Sequence, residues 1–181
     1  MTSRFHIITG APGTGKTSIL EGLGAKVHRF AEPARQVLAR WRASGNPRPA
    51  QMKPAAFVGS LLRQSIEHYE KASRLSGPVV FDRGVPDCVA YANYLGTSPE
   101  AAVAATAEYR YTTRVLVARP WEDIYVTDDE RTMPFGAVVR FQAAIDVAYR
   151  DAGYQLIEIP KGSVDERVEF VASIVAGLPG S

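Results

Sequence analysis

Cysteine is nearly absent: Cys88 stands alone in 181 residues, so this sequence holds no pair for an internal disulfide, and a reducing setting is expected. An excess of one charge is absent as well. Lys plus Arg is 21 and Asp plus Glu is 19, a net +2, which offers little electrostatic basis for non-specific nucleic-acid binding or polybasic membrane attachment. No apolar run approaches the ~20 residues that a membrane helix requires. The opening apolar stretch, residues 5–9, is cut short by Gly10, Pro12, Gly13, Gly15 and Lys16, so it does not read as a signal peptide and the cytoplasm is the expected address. His6, His28 and His68 lack metal-ligand spacing, which argues against a zinc site. There is no internal repeat. What remains, 46% hydrophobic and 22% charged, is the composition of one globular domain over residues 1–181 that can build its own core, and the alternation described next makes it α/β.

Four short apolar runs, at residues 5–8, 79–81, 115–118 and 156–159, are almost free of charge, as strands covered on both faces must be. The last contains Glu158, which suits a position near a sheet edge. A weaker fifth run spans residues 27–31. Between them lie helical patterns at about 33–43, 54–73, 86–95, 99–109, 135–152 and 164–176. Several begin at or near a proline, which a first helical turn tolerates. The breaker-rich segment 44–49 reads as a loop between two helices. Strand–helix alternation predicts a three-layer fold with a mostly parallel sheet, whose ligands bind at the carboxyl ends of the strands.

Just after the first run comes Gly10-Ala11-Pro12-Gly13-Thr14-Gly15-Lys16-Thr17, which satisfies G-x-x-x-x-G-K-[ST] without a departure. The context is also right: a strand-like run precedes it and helix-capable residues from Ser18 follow. Glycines let successive N–H groups turn inward around a polyphosphate. Lys16 would neutralise the β- and γ-phosphates, and the Thr17 hydroxyl would coordinate Mg²⁺. Residues 10–17 with Ser18 form the expected donor cradle.

The second run ends in Asp82-Arg83-Gly84. An Asp closing a strand beside a phosphate loop is a place to organise Mg²⁺, or to accept a proton from an acceptor hydroxyl; the sequence leaves both roles open. ATP-hydrolysing machines usually place a Glu next, whereas here stands Arg83, a fixed cation suited to gripping phosphate. An N-K-x-D stretch, which would read guanine, is missing, so ATP is the expected donor with GTP left open.

Together, the phosphate loop, Asp82-Arg83-Gly84-Val85-Pro86-Asp87 with Ala90-Tyr91, Pro120-Trp121, Asp128-Asp129-Glu130-Arg131 and Gly153-Tyr154 resemble a small family of P-loop proteins. That family is labelled as AAA-domain ATPases but built like nucleoside and nucleotide kinases. A more distant likeness is to the ribosylnicotinamide-kinase domain. The resemblance implies a P-loop NTPase fold with a five-stranded sheet in the kinase-type order 2-3-1-4-5, helices on both faces, and nucleotide binding. It supplies no substrate.

A charged, partly aromatic segment at about 119–134 is the expected lid. Arg131 is its leading candidate for stabilising charge on the transferring phosphoryl group, with Arg119 second. The plainer alternative is a solvated loop in which Arg131 pairs with Asp128 or Glu130. Glu32, before Pro33, could bind acceptor hydroxyls or serve as a first-turn acid. Asp87 could be explained by a helix dipole alone. Residues 160–163 border the expected purine site, with Ser163 also a helix N-cap.

These observations predict a Mg²⁺-dependent phosphotransferase. Lys16, Asp82, Arg83 and Arg131 would be catalytic, Thr17 and Asp82 would serve the metal, and Glu32 and Arg83 the acceptor. That acceptor is a small nucleoside-like or phosphorylated metabolite. The alternative is a nucleotide-binding regulator with slow hydrolysis. A kinase of nucleic-acid ends would need a basic groove, which a net +2 does not suggest.

Overall fold

The computed structural model describes residues 4–25, 27–45, 53–125 and 133–176. Its strands are β1 (Phe5–Thr9), β2 (His28–Phe30), β3 (Val79–Asp82), β4 (Arg114–Val117) and β5 (Gln155–Glu158). Its helices are α1 (Lys16–Gly22), α2 (Pro33–Ala43), α3 (Pro54–Ser73), α4 (Val85–Tyr94), α5 (Glu100–Glu108), α6 (Phe135–Asp151) and α7 (Val164–Val175). The strands form one sheet in the order β2-β3-β1-β4-β5, and every pairing is parallel.

Alternation along the strands explains the layers, because successive side chains leave a strand on opposite faces. On one face Phe5, Ile7, Val79, Phe81 and Val115 join side chains of α2, α3, α4, α5 and α6. On the other, Ile8, Val80 and Leu116 meet Ile19 and Leu20 of α1 and Val171 and Val175 of α7. Central strands bury both faces, which is why their sequences read as continuous apolar runs. The edge strands β2 and β5 are partly exposed, and Glu158 accordingly sits on an edge.

Helix boundaries follow local chemistry. Pro33 and Pro54 open α2 and α3 where a proline's missing N–H has no intrahelical role. Ser163 caps α7 by accepting from the Glu166 amide, while Glu166 accepts from the Ser163 amide at 2.8 Å. α4 starts one residue before the expected proline, and a short 3₁₀ turn at Glu122–Ile124 was not foreseen. Among the described residues, no helix is long and apolar enough to cross a membrane. The loop at 46–49 and the segment 126–132, with Asp128, Asp129, Glu130 and Arg131, lie outside the described residues.

Candidate nucleotide and acceptor site

The phosphate loop leaves the end of the central strand β1. Gly10 has φ +141°, and a Cβ there would lie 2.1 Å from the Ala118 carbonyl oxygen, so only glycine lets the chain turn beside β4. The loop is held by side chains around it. The Ala11 amide donates to Gln142 Oε1 of α6 at 2.9 Å, and Thr14 Oγ1 donates to the Ala11 carbonyl at 3.0 Å. Gln142 in turn donates to Asp146 at 2.9 Å.

Lys16 is buried with its ammonium turned onto its own loop. Nζ donates to the carbonyls of Gly10 at 2.8 Å and Ala11 at 3.0 Å. Burial, with repulsion from Arg83, lowers its pKa to about 8. A polyphosphate would exchange these neutral acceptors for anionic ones.

Beside it, at the end of β3, Asp82 is buried and its Oδ1 has no hydrogen-bond partner. Burial, opposed by attraction to Lys16, raises its pKa to about 6. A cation fits this orphaned oxygen. Thr17 supplies a hydroxyl on the neighbouring loop, so the pair suits a nucleotide-borne Mg²⁺, which takes few protein ligands. Groups of three or more acidic, His or Cys ligands are absent among the described residues.

Arg83 differs from the solvent-facing grip that a fixed cation suggests. It is the one non-glycine with positive φ among the described residues, at +72°, a conformation costing roughly 1–3 kcal/mol. That turn sends its side chain inward. Nε donates to Glu32 Oε1 at 2.8 Å and Nη1 to Asp87 Oδ1 at 3.1 Å, while Nη2 is buried without a partner. Arg83 therefore pairs with Glu32 and Asp87 rather than with its neighbour Asp82. Burial alone would raise Glu32, but Arg83, then Lys16 and Arg35, outweigh it and hold the carboxyl at about 2.

Asp87 is the residue the sequence underrated. Its carboxylate is buried and accepts from Thr9 Oγ1 at 2.6 Å, Arg83 Nη1 at 3.1 Å, the Gly84 amide at 2.9 Å and Tyr149 Oη at 2.6 Å. It thus ties β1, the start of α4 and α6 to the Arg83 turn. A first-turn acid is common enough that nothing local marks this role; partners 62 and 78 residues away create it.

A single cleft of about 860 Å³ contains residues 12–18 together with Glu32, Arg35, Leu38, Arg42, Phe57 and Tyr91 on one side. Trp121, Ile124, residues 162–164 and Arg167 line the other side. Arg35 lies 3.4 Å from Glu32 and reaches Thr17 Oγ1 at 3.5 Å. Lys161 sits over the Trp121 ring at 5.6 Å. Tyr125, at the described end of the expected lid, packs on Gly13. Arg119 is committed elsewhere, to Asp146 and to Glu158, the latter at 2.8 Å. Arg131 lies outside the described residues. Cys88 is packed in the core, where burial pushes its thiol up to about 12, far from a nucleophile's range.

Comparison with known proteins agrees with this architecture. No curated protein matches the chain significantly. Thymidylate kinase from Candida albicans superposes with a TM-score of 0.66 at 13% identity, covering 97% of this chain and 92% of that one. Thymidylate kinase from Ehrlichia chaffeensis gives 0.61 at 16% identity, over 94% and 98%. Deoxyadenosine kinase from M. mycoides gives 0.66 at 12% identity, over 96% and 100%. At such identities the likeness is one of fold, that of the P-loop kinases. An AAA-domain family model, AAA_28, matches residues 5–167, and the chain belongs to that family.

Proposed function

We propose that this protein is a P-loop phosphotransferase that moves the γ-phosphoryl group of Mg²⁺-bound ATP to a small nucleoside-like or phosphorylated acceptor. The observation that carries this reading is that a donor cradle and an acceptor wall share one cleft. The phosphate loop faces Glu32, Arg35, Phe57 and Tyr91 across about 860 Å³.

In this reading the amides of residues 13–18 and the Lys16 ammonium bind the donor phosphates. Mg²⁺, held by Thr17 and Asp82, would draw charge from the transferring group. The acceptor hydroxyl oxygen attacks the γ-phosphorus, the bond to the β–γ bridging oxygen breaks, and the hydroxyl proton departs to the Asp82 carboxylate, the alternative to its metal role. Glu32, clamped by Arg83 and Arg35, orients the acceptor, while Phe57 and Tyr91 offer apolar surface to its ring. Positioning and electrostatics carry most of the catalysis in phosphoryl transfer, so a rigid, charged wall suits the task. Arg131 is proposed to complete the charge stabilisation from the lid.

One observation favours a second reading, a slow nucleotide-dependent regulator. The position after Asp82 carries an inward-tied arginine, which cannot activate water. A single screen separates the two. ADP formation from ATP is followed across nucleosides, nucleoside monophosphates and other phosphorylated metabolites. Strong stimulation by one acceptor supports the kinase; tight nucleotide binding with no stimulation by any supports the regulator.

A further inference from the structure

Arg167 belongs to none of the motifs above, yet it has a specific place against the phosphate loop. It leaves α7 and is only 5% exposed. Its Nη2 donates to the Thr14 carbonyl at 2.8 Å. Nη1 lies 2.6 Å from where a Cβ on Gly15 would be, so the guanidinium occupies space that any side chain at position 15 would need. Its Nε is buried and has no partner.

A buried guanidinium is normally matched by a carboxylate, since an isolated charge out of water is costly. Arg83 follows that rule, with two carboxylates. Arg167 does not. Among the described residues, no carboxylate is paired with it within 4 Å. Its pKa is lowered, with burial as the cause. One neutral carbonyl is a poor exchange for lost hydration.

The sheet order says which part of a ligand this cation would meet. β2 and β3 lie on one side of β1, and they deliver Glu32, Asp82 and Arg83 to one flank of the loop. β4 and β5 lie on the other, and the connection after β5 with the start of α7 delivers residues 162–164 and Arg167 to the opposite flank of the same cleft. Transfer occurs toward the acceptor flank. The part of the donor left on the other flank is its α,β-diphosphate.

We infer that Arg167 is a donor-binding residue, a cation held in place by the Thr14 carbonyl to pair with the α,β-diphosphate common to ADP and ATP. It is not a bracing strut of the loop. The inference rests on the nucleotide-binding reading above and adds a residue that the phosphate-loop pattern does not contain. The bound diphosphate supplies the missing anion and gives Nε or Nη1 an acceptor.

The test compares wild type with Arg167→Gln and Arg167→Lys by calorimetry, using ADP and inorganic tripolyphosphate with Mg²⁺, and by melting without ligand. Loss of one charge-assisted hydrogen bond predicts about tenfold to a hundredfold weaker binding of both ligands by Arg167→Gln. Arg167→Lys falls between the two, because a point charge replaces a fork. Unliganded melting is equal to wild type or higher, because a costly buried charge has gone. Unchanged affinity in Arg167→Gln overturns the inference. So does failure of either variant to fold without ligand, which would make Arg167 a strut. Weaker ADP binding with unaltered tripolyphosphate binding also overturns it, since the contact would then be to the nucleoside. If wild type itself binds neither ADP, ATP nor GTP, the functional reading falls as well, and that is known before the variants are compared.

Discussion

Arg83 Nε donates to Glu32 Oε1 at 2.8 Å, joining the residue after β3 to the residue before α2. Glu32 lines the cleft, and the bond behind it forms because a left-handed turn at Arg83 directs the guanidinium inward. The Glu32 side of the cleft therefore depends on a short run of backbone that most residues avoid. Its other anchor is Asp87, 3.1 Å from Nη1.

Replacing Asp87 with Asn should be more damaging than a first-turn substitution normally is. It removes the anion that faces Arg83 and turns one of the accepting oxygens into a donor amide beside Thr9 or Tyr149. Breaking a buried pair of this type costs about 2–4 kcal/mol. Urea unfolding should show that loss, and an undiminished midpoint would remove Asp87 from its central position.

Asp82→Asn should separate function from fold. Its Oδ1 supports no hydrogen bond in the protein and burial disfavours its charge, so stability at neutral pH should hold or rise. Nucleotide turnover should drop at least roughly a hundredfold, as expected for losing an electrostatic contact to the reacting groups. Near-normal turnover would return Asp82 to a purely structural role.

Lys16→Ala should leave the chain folded and abolish turnover, with ATP affinity weakened about tenfold or more in calorimetry. The ammonium hydrogen-bonds only within its own loop, so its loss removes no tie between distant segments. Retained turnover would refute the assignment.

Glu32 and His68 each give stability a pH dependence, and Asp82, raised to about 6, opposes His68 between pH 3.8 and 6. Glu32 is held at about 2 against an ordinary 4.5, so its contribution is present above 4.5 and is lost as pH falls toward 2. His68, packed against Phe30, is lowered to about 4 by burial and then by Lys71. Between pH 6.5 and 4 the unfolded chain takes up that proton and the folded one does not, so stability rises with pH across this window. His68→Gln should flatten the upper window and Glu32→Gln the lower one, measured by denaturant midpoints at stepped pH. Unaltered slopes would contradict the burial of His68 and the pairing of Glu32 with Arg83.

Glycine positions offer an internal control. Gly10→Ala forces a Cβ to 2.1 Å from the Ala118 carbonyl oxygen at φ +141° and should cost more than about 3 kcal/mol or prevent folding. A Cβ at Gly24 would meet nothing within 4 Å, and Gly24→Ala should stay within about 0.5 kcal/mol of wild type. Equal melting temperatures for the two would refute the close approach of β1 and β4.

Much of the fold was legible because its signals are local. Runs such as residues 79–81 announce strands covered on both faces, and Pro33 and Pro54 mark helix starts to the residue. The order 2-3-1-4-5 came from resemblance, and the topology matches it. The phosphate loop was legible for the same reason, since eight consecutive residues carry it. Arg83 was only half legible. Its residue type suggested phosphate binding, but its positive φ and two carboxylate partners depend on distant chain segments. Asp87 and Arg167 stayed hidden because their burial and their contacts come from segments far away along the chain. The 3₁₀ turn at Glu122–Ile124 has no apolar periodicity to announce it.

The Gln142 contact has a mechanical meaning. From the Ala11 amide the path runs through Gln142 to Asp146, from Asp146 to Arg119, and from Arg119 to Glu158 at the outer strand. Each joint is polar and directional, and the last, to a mostly exposed Glu158, is the weakest. A continuous line of hydrogen bonds thereby joins the outermost strand of the sheet to the first turn of the phosphate loop.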